Sequence, residues 1–374
     1  TQAGQGIRGT SMEFGLSEDQ KLLQESIRGT LERVSPLERV RKVAEAKDAQ
    51  ADDVWQALAE LGVPGMMVPE AQGGMGMKLL DAALVSEMLG RFVAPVPFIA
   101  TAVMAPIAIA GAGSSAQKEA WLPPLASGAI TAGVAVAEVA SGARDGAGVT
   151  ASGGKLNGKS LFALDAAKAD VIVVADNAGG LHLVKGDAAG LTKVALTSID
   201  LTRNLTELQF DDVEAEALQS GDVAATLRRV IDAGRVLLAA DTLGAGWAMI
   251  EQAVAYAGER KQFNRVIGSF QAVKHMCAEM AAELEPCRSL IWYAAHAFDE
   301  IPEEATLMAA HAKSLTTEVG RFVARTATEV HGGMGFTDLL GLHYWFKRIG
   351  LDRQLLGSPE RVRNEAAALQ GWAA

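Results

Sequence analysis

Two cysteines, Cys277 and Cys287, are all that 374 residues contain, so no disulfide framework organises the fold. They stand ten apart on an apparent helix, about 15 Å along its axis, which is beyond disulfide reach. They read instead as small buried hydrophobes. Long apolar runs are missing too: no 18 consecutive apolar residues occur, and the nearest approach, 93–113, is broken by three prolines and several small residues. No membrane span is expected. Basic residues are in the minority, 34 Lys and Arg against 45 Asp and Glu for a net charge of −11. They are scattered rather than clustered, so a nucleic-acid or anionic-membrane surface is not expected either. The N-terminus lacks a basic, apolar, small-residue signal pattern, and 1–11 reads as an appended segment ahead of a natural Met12; a cytoplasmic location follows by default. Around His275 and His331 no further ligand stands at zinc spacing, and no Gly-x-Ser-x-Gly elbow is present. Neither a metal site nor a hydrolase triad is expected.

What the chain has is core: 49% hydrophobic residues over a length that suits two or three domains. Ser17 precedes acidic residues and then a helical pattern through Val34. Helical spacing dominates to about Ile130, with Trp55, Leu58 and Leu61 marking one amphipathic helix stopped by Gly62 and Pro64. The glycine-rich stretch 69–76 precedes no strand-loop-helix nucleotide signature and is expected to shape a turn. From Thr131 the period changes. The runs 132–139, 156–164, 170–175, 181–185 and 205–213 are short and β-prone, separated by Gly, Asn and Asp turns. Helical patterning returns near Asp222 and persists, interrupted at Ile301-Pro302 and at a glycine cluster. The expected architecture is mostly α with a central β domain: an N-terminal helical domain (12–130), a middle β-barrel (131–215) and a C-terminal four-helix bundle (216–374).

The most informative stretch is 244–275. A long amphipathic helix ends in a basic, amide-bearing turn, Arg260, Lys261 and Gln262 beside Phe263, before Ile267, Phe270, Gln271 and His275 lead into the next helix. An arginine, two amides and two aromatics could serve a dinucleotide by pairing with phosphate, bonding a heterocycle edge and stacking. From physics alone, a solvated helix-turn-helix corner fits as well.

The string Tyr256-Ala257-x-x-Arg260-x-Gln262-Phe263-x-x-x-Ile267-x-x-Phe270-Gln271-x-x-x-His275 resembles the central signature of the flavin-dependent acyl-CoA dehydrogenases. Pro69-Glu70-x-x-Gly73-Gly74-x-Gly76 and His331-Gly332-Gly333-Met334-Gly335-Phe336 agree with it in order and distance. The resemblance runs from about Met12 to the C-terminus. It implies FAD as cofactor, an acyl-CoA thioester as substrate, α,β-desaturation with electrons passed to an electron-transferring flavoprotein, and an oligomer. It further implies that Arg260, Gln262, Phe263, Ile267, Phe270 and Gln271 reach the flavin of a neighbouring subunit. Glu329, Val330, His331, Gly332 and Gly333 would pass near its adenine, where glycines allow close backbone approach.

Departures from the family pattern are as informative. Glu329 stands where glutamine is usual, and Asn264 where glycine is, although asparagine tolerates positive φ. The flavin-side threonines are lost: Ala137-Glu138-Val139-Ala140 replaces Thr-Glu-Pro-Gly, and Phe162-Ala163-Leu164 keeps an aromatic but no hydroxyl. Phe162 is expected to cover the ring face. Asp232 and Arg235 match the Asp-x-x-Arg stretch lining the acyl-CoA channel, at i and i+3 on one helix face. The base is missing from both familiar positions, which hold Leu356 and Gly234. Asp241, on the same apolar helix, is the first candidate in its place, ahead of Asp338 and Glu360. The tail 342–348 resembles small subunits of bacterial heteromeric dehydrogenases, so a silent or partner-dependent subunit is the rival expectation. Flavin chemistry on a substrate other than a CoA thioester stays open as a third.

Overall fold

Ser17 opens the first helix with a reciprocal cap: its hydroxyl accepts from the Gln20 N–H at 3.2 Å, and the Gln20 side chain accepts from the Ser17 N–H at 3.1 Å. Two orphan donors of the first turn are thereby satisfied. Residues 15–47 and 50–372 are described in this computed structural model, so the reading of Met12 as a natural start lies outside the described residues. Six helices come first: α1 (Glu18–Val34), α2 (Leu37–Ala46), α3 (Asp52–Ala59), α4 (Leu79–Arg91), α5 (Ala105–Ala112) and α6 (Ser115–Ala126). A buried π-helical segment, Ile99–Met104, precedes α5. The loop 69–76 does shape a turn, since a Cβ on Gly74 would meet the Val68 carbonyl oxygen at 2.1 Å.

The strands follow: β1 (Ala132–Ala135), β2 (Gly148–Ser152), β3 (Lys155–Leu164), β4 (Val171–Ala175), β5 (Leu181–Lys185), β6 (Leu191–Ala195), β7 (Leu205–Glu214) and β8 (Glu216–Leu218). They form one sheet in the order β6-β7-β3-β1-β4-β5-β8, with β2 paired to β3, and β1–β4 is its parallel pair. Its end strands β6 and β8 do not meet, so the sheet is a curled half-barrel rather than a closed one. The five expected runs correspond to β1, β3, β4, β5 and β7, with one correction. After Ala135 the chain leaves the sheet and forms a short helix, α7 (Ala137–Ser141), instead of continuing as strand to Val139. The short strands β2, β6 and β8 were not expected; charged residues such as Lys193 and Glu216 interrupt the apolar alternation there.

The rest is helical: α8 (Val223–Glu259), α9 (Gln271–Glu300), α10 (Pro302–His331), α11 (Leu342–Asp352) and α12 (Pro359–Leu369), with a two-stranded hairpin, β9 (Lys261–Gln262) and β10 (Arg265–Val266), between α8 and α9. From 230 to 246 every residue of α8 is buried, which makes it the central rod of the bundle. Glycines let α4 touch it backbone to backbone. A Cβ on Gly90 would lie 1.9 Å from the Asp241 carbonyl oxygen, and one on Gly244 would lie 1.8 Å from that of Glu87. No helix among the described residues is long and apolar enough to cross a membrane.

Candidate active site

A cavity of about 410 Å³ opens between the curled sheet and the end of α11 with the segment after it, with Phe162, Leu196 and Ile199 on the sheet side and Leu351, Leu355 and Leu356 opposite. Phe162 is aimed there by a β-bulge. Ser160 pairs with Leu208 and Ala163 with Thr206, so Leu161 and Phe162 together stand opposite Glu207 alone. Phe162 takes φ 58°, a left-handed conformation an aromatic rarely adopts, and its ring is 40% exposed. Glu138 on α7 accepts the Ser160 hydroxyl and the Leu161 N–H, both at 2.7 Å. It is the single carboxylate among the residues lining this cavity.

Leu356 closes the opposite wall at φ 55°. The turn that carries it is held from two sides: the Arg235 Nε donates to the Leu356 carbonyl at 3.0 Å, and the buried Lys313 Nζ donates to the carbonyls of Asp352 at 2.6 Å and Arg353 at 3.2 Å at the turn's start. Burial pulls the Lys313 ammonium down to about 7. Where a Cβ of residue 234 would stand, the Leu356 Cδ1 is 2.5 Å away and the Met104 Sδ 3.0 Å.

A second cavity, about 620 Å³, lies beyond Arg235 and is lined by Arg228, Ile231, Arg235, Arg361 and Glu365 among others. Glu365 accepts from Arg235 at 2.8 Å and from Arg228 at 2.5 Å. Those two cations, Arg235 first, hold its carboxyl below the usual range against the cost of burial. Asp232 does not share this cavity. It turns toward α10, where its carboxylate accepts the Thr306 hydroxyl at 2.6 Å, and burial raises it to about 6. Asp232 and Arg235 both stand on α8, as expected, but their side chains are bonded to different helices, Asp232 to Thr306 on α10 and Arg235 to Glu365 on α12.

Asp241 lies away from both cavities. It is buried at a junction of the sheet, α8 and α11, with Arg203 Nη2 3.2 Å and Arg348 Nη1 3.7 Å from its Oδ1. Asp352 lies 3.2 Å from the same Arg203 nitrogen, and Asp200 lies 3.4 Å from Arg348 Nε. Burial first, and the neighbouring Asp241 second, push the Asp352 carboxyl well above the usual range. None of these carboxylates lines the Phe162 cavity; Asp241 belongs to this buried ion network. The lower-ranked candidates are no nearer. Asp338 is exposed beside His343 at 3.5 Å, and Glu360 accepts from Arg353 at 2.6 Å.

At the far end of α8 the chain forms a hook. Arg260 caps the helix, and the β9–β10 hairpin turns through Phe263 and Asn264, at φ 50° and 61°. Two left-handed residues in a row are what a tight hairpin turn requires, and Asn264 supplies one of them in place of the usual glycine. Phe263 is 87% exposed, its ring edge-on to that of Phe270 at 6.1 Å, while the Arg265 guanidinium lies 3.9 Å above the Phe270 ring. Arg260, Gln262 and Gln271 are exposed and Ile267 half-buried. Tyr256 stacks on His331 at 4.8 Å, which brings the hook to the end of α10. There the His331 Nδ1–H donates to the Ala327 carbonyl at 2.7 Å, Val330 is buried, and Glu329, Gly332 and Gly333 face outward. The hook and the glycine cluster are thus neighbours, while none of their residues lines the Phe162 cavity.

Sequence reasoning missed Glu138, Met104, Lys313 and Glu365. Glu138 stood in a stretch matched to the flavin-side loop but was passed over for the lost threonines, while Met104 and Lys313 carried no recognisable signal, because they act through shape and backbone carbonyls. Glu365 could have been sought as the carboxylate that a buried Arg235 needs.

Family models for the acyl-CoA dehydrogenase N-terminal domain and C-terminal domain match residues 17–129 and 224–369. The chain belongs to the acyl-CoA dehydrogenase family. It is 29% identical to the acyl-CoA dehydrogenase IpdE2 of Mycolicibacterium smegmatis over 93% of this chain and 98% of that protein. It is 26% identical to an acryloyl-CoA reductase (NADH) of Anaerotignum propionicum over 87% of each. Among solved structures, a variant of the Tcur3481–Tcur3483 steroid ACAD superposes with a TM-score of 0.86 at 28% identity, covering 95% of this chain and 98% of that one.

Proposed function

We propose that this chain is an FAD-binding subunit of an enzyme that desaturates an acyl-CoA thioester between its α and β carbons and passes the electrons to an electron-transferring flavoprotein. The observation that carries this reading is the separation of two flavin-type surfaces on one chain: an aromatic-floored cavity at Phe162 and an exposed hook at Arg260 to Gln271. A flavin ring fits the first, since about 410 Å³ lies within the ~300–1,000 Å³ typical of cofactor sites. The second suits the pyrophosphate and adenine of a flavin seated in a neighbouring subunit, whose cavity would be completed by this chain's hook. Bound FAD would supply the hydride acceptor. Phe162 would cover its ring, Arg260 would pair with its phosphates, and Arg235 with Arg228 would line the approach of the CoA thioester. The divisions at 130/131 and 215/216 serve as the proposed domain framework.

A second reading, that the subunit depends on an unlike partner for its base, is favoured by one specific observation: Leu356 fills the space beside Gly234, leaving no carboxylate at either familiar position. The test separates the two. The purified chain is examined for a flavin spectrum, and acyl-CoA thioesters are then added with and without candidate partner subunits. Bleaching by the chain alone establishes a self-sufficient dehydrogenase, and bleaching only with a partner establishes the dependent one. A chain that takes up no FAD in any combination rejects both.

A further inference from the structure

We propose that Glu138 is a positioning residue for Phe162, fixing the bulge that turns this ring into the cavity. The proposal rests on the reading of that cavity as the flavin-ring site. A regular β3 would pair one residue at a time with β7, and here Leu161 and Phe162 stand together opposite Glu207. Such a bulge takes backbone groups out of the ladder, and buried groups of that kind need other partners. Glu138 supplies one: Oε1 accepts the Leu161 N–H and Oε2 the Ser160 hydroxyl, both at 2.7 Å, across 22 or 23 residues of sequence. Phe162 is left at φ 58°, a conformation that costs energy in a non-glycine residue and persists only when its surroundings over-determine it. The side-chain period of a strand is two, so removing the extra residue from the register would carry the following side chains to the opposite face. Glu138 therefore acts on the cavity through the strand. It can do so because α7 replaces an extended segment at 137–141 and brings the carboxylate alongside the bulge.

Four variants test this: Glu138→Ala, Glu138→Gln, Phe162→Ala and the double Glu138→Ala/Phe162→Ala. FAD affinity is read from quenching of flavin fluorescence, ring placement from visible circular dichroism of the bound flavin, and folding from thermal melts. Glu138→Ala is expected to weaken FAD binding about tenfold or more, since both hydrogen bonds involve a charged acceptor, and to change the dichroism. Glu138→Gln is expected to restore both, because an amide can accept the N–H and donate to the hydroxyl. The double variant is expected to bind no more weakly than Phe162→Ala alone, the non-additivity of two residues acting through one element. Additive losses, or a glutamine variant as impaired as the alanine one, would overturn the proposal. A crystal structure of Glu138→Ala supplies a readout that needs no flavin: Phe162 is expected to leave the left-handed region, and its retention there rejects the positioning role. If the parent chain binds no FAD, the cavity reading fails, and this structure still decides the role of Glu138. Should Glu138→Ala melt before it can be studied, Ser160→Ala removes one of the two bonds and is held to the same outcomes at smaller size.

Discussion

A Cβ on Gly234 would come within 2.5 Å of the Leu356 Cδ1. The two positions from which relatives are expected to draw a base, 122 residues apart in the chain, are one place in space, and here it is filled with a methyl group. The Leu356 turn is held through its main chain by Arg235 and Lys313, so those bonds do not depend on which side chain stands at 356. Leu356→Glu is therefore expected to keep the fold and to set a carboxylate in an apolar wall, where desolvation raises its pKa toward that of a useful base. In the flavin-loaded assembly, α-proton exchange or desaturation of a bound thioester should rise ~10²-fold or more over the parent. No gain would mean that the thioester α-carbon does not reach this wall.

Asp241→Asn is expected to leave thioester turnover and FAD affinity unchanged and to act on stability. The carboxylate shares Arg203 with Asp352, so its loss leaves one acid to pair with that cation, and a modest cost of about 1–2 kcal/mol is expected. Arg203→Met removes the shared cation from a fully buried group of acids and should cost roughly 3–5 kcal/mol. Denaturant melts of the two variants check the order. An Asp241→Asn variant that melts normally but has lost turnover would return Asp241 to the site.

The order of helices, strands and helices was legible because each period is long and uniform: α8 and α10 run for 37 and 30 residues without a breaking proline in their interiors. The α7 turn was not. Ala137-Glu138-Val139 is as acceptable in a strand as in a helix, and only the tertiary bonds of Glu138 decide between them. The hook's exposure was foreseen from its polar residues, whereas the directions of Asp232 and Asp241 were not. Position along α8 gives an angle around the axis, but α8 is buried on every side at its middle, so the angle alone does not say whether a carboxylate meets a cavity, a threonine or an arginine.

Asp232 makes stability depend on pH in a stated direction. Burial raises its carboxyl to about 6, above the 3.8 of the unbiased group, so between these values the folded state binds the proton more tightly than the unfolded one. The stability this residue contributes is complete below about pH 4 and is lost as pH climbs through 6. Asp232→Asn removes the titration. Its stability relative to the parent should rise between pH 4 and 7 by of order 2–3 kcal/mol, then level off. A difference that stays flat across this window would show that Asp232 is ionised throughout.

Arg260 separates a cofactor role from a structural one more cleanly than any other residue of the hook. It is exposed at the end of α8, so Arg260→Ala should leave the thermal melt of the flavin-free protein within about 0.5 kcal/mol of the parent, as surface substitutions do. A charge-assisted contact to phosphate contributes roughly 1.5–3 kcal/mol, so FAD affinity should fall about ten- to a hundredfold. The loss should be greatest at low ionic strength, because salt screens an exposed pair. If the hook serves a neighbouring subunit, mixing Arg260→Ala with Phe162→Ala chains should restore part of the binding: one kind of site then combines both defects and the other has neither. Should the mixture bind no more FAD than the two variants separately, hook and cavity belong to the same chain's site, and the proposed exchange between subunits is wrong.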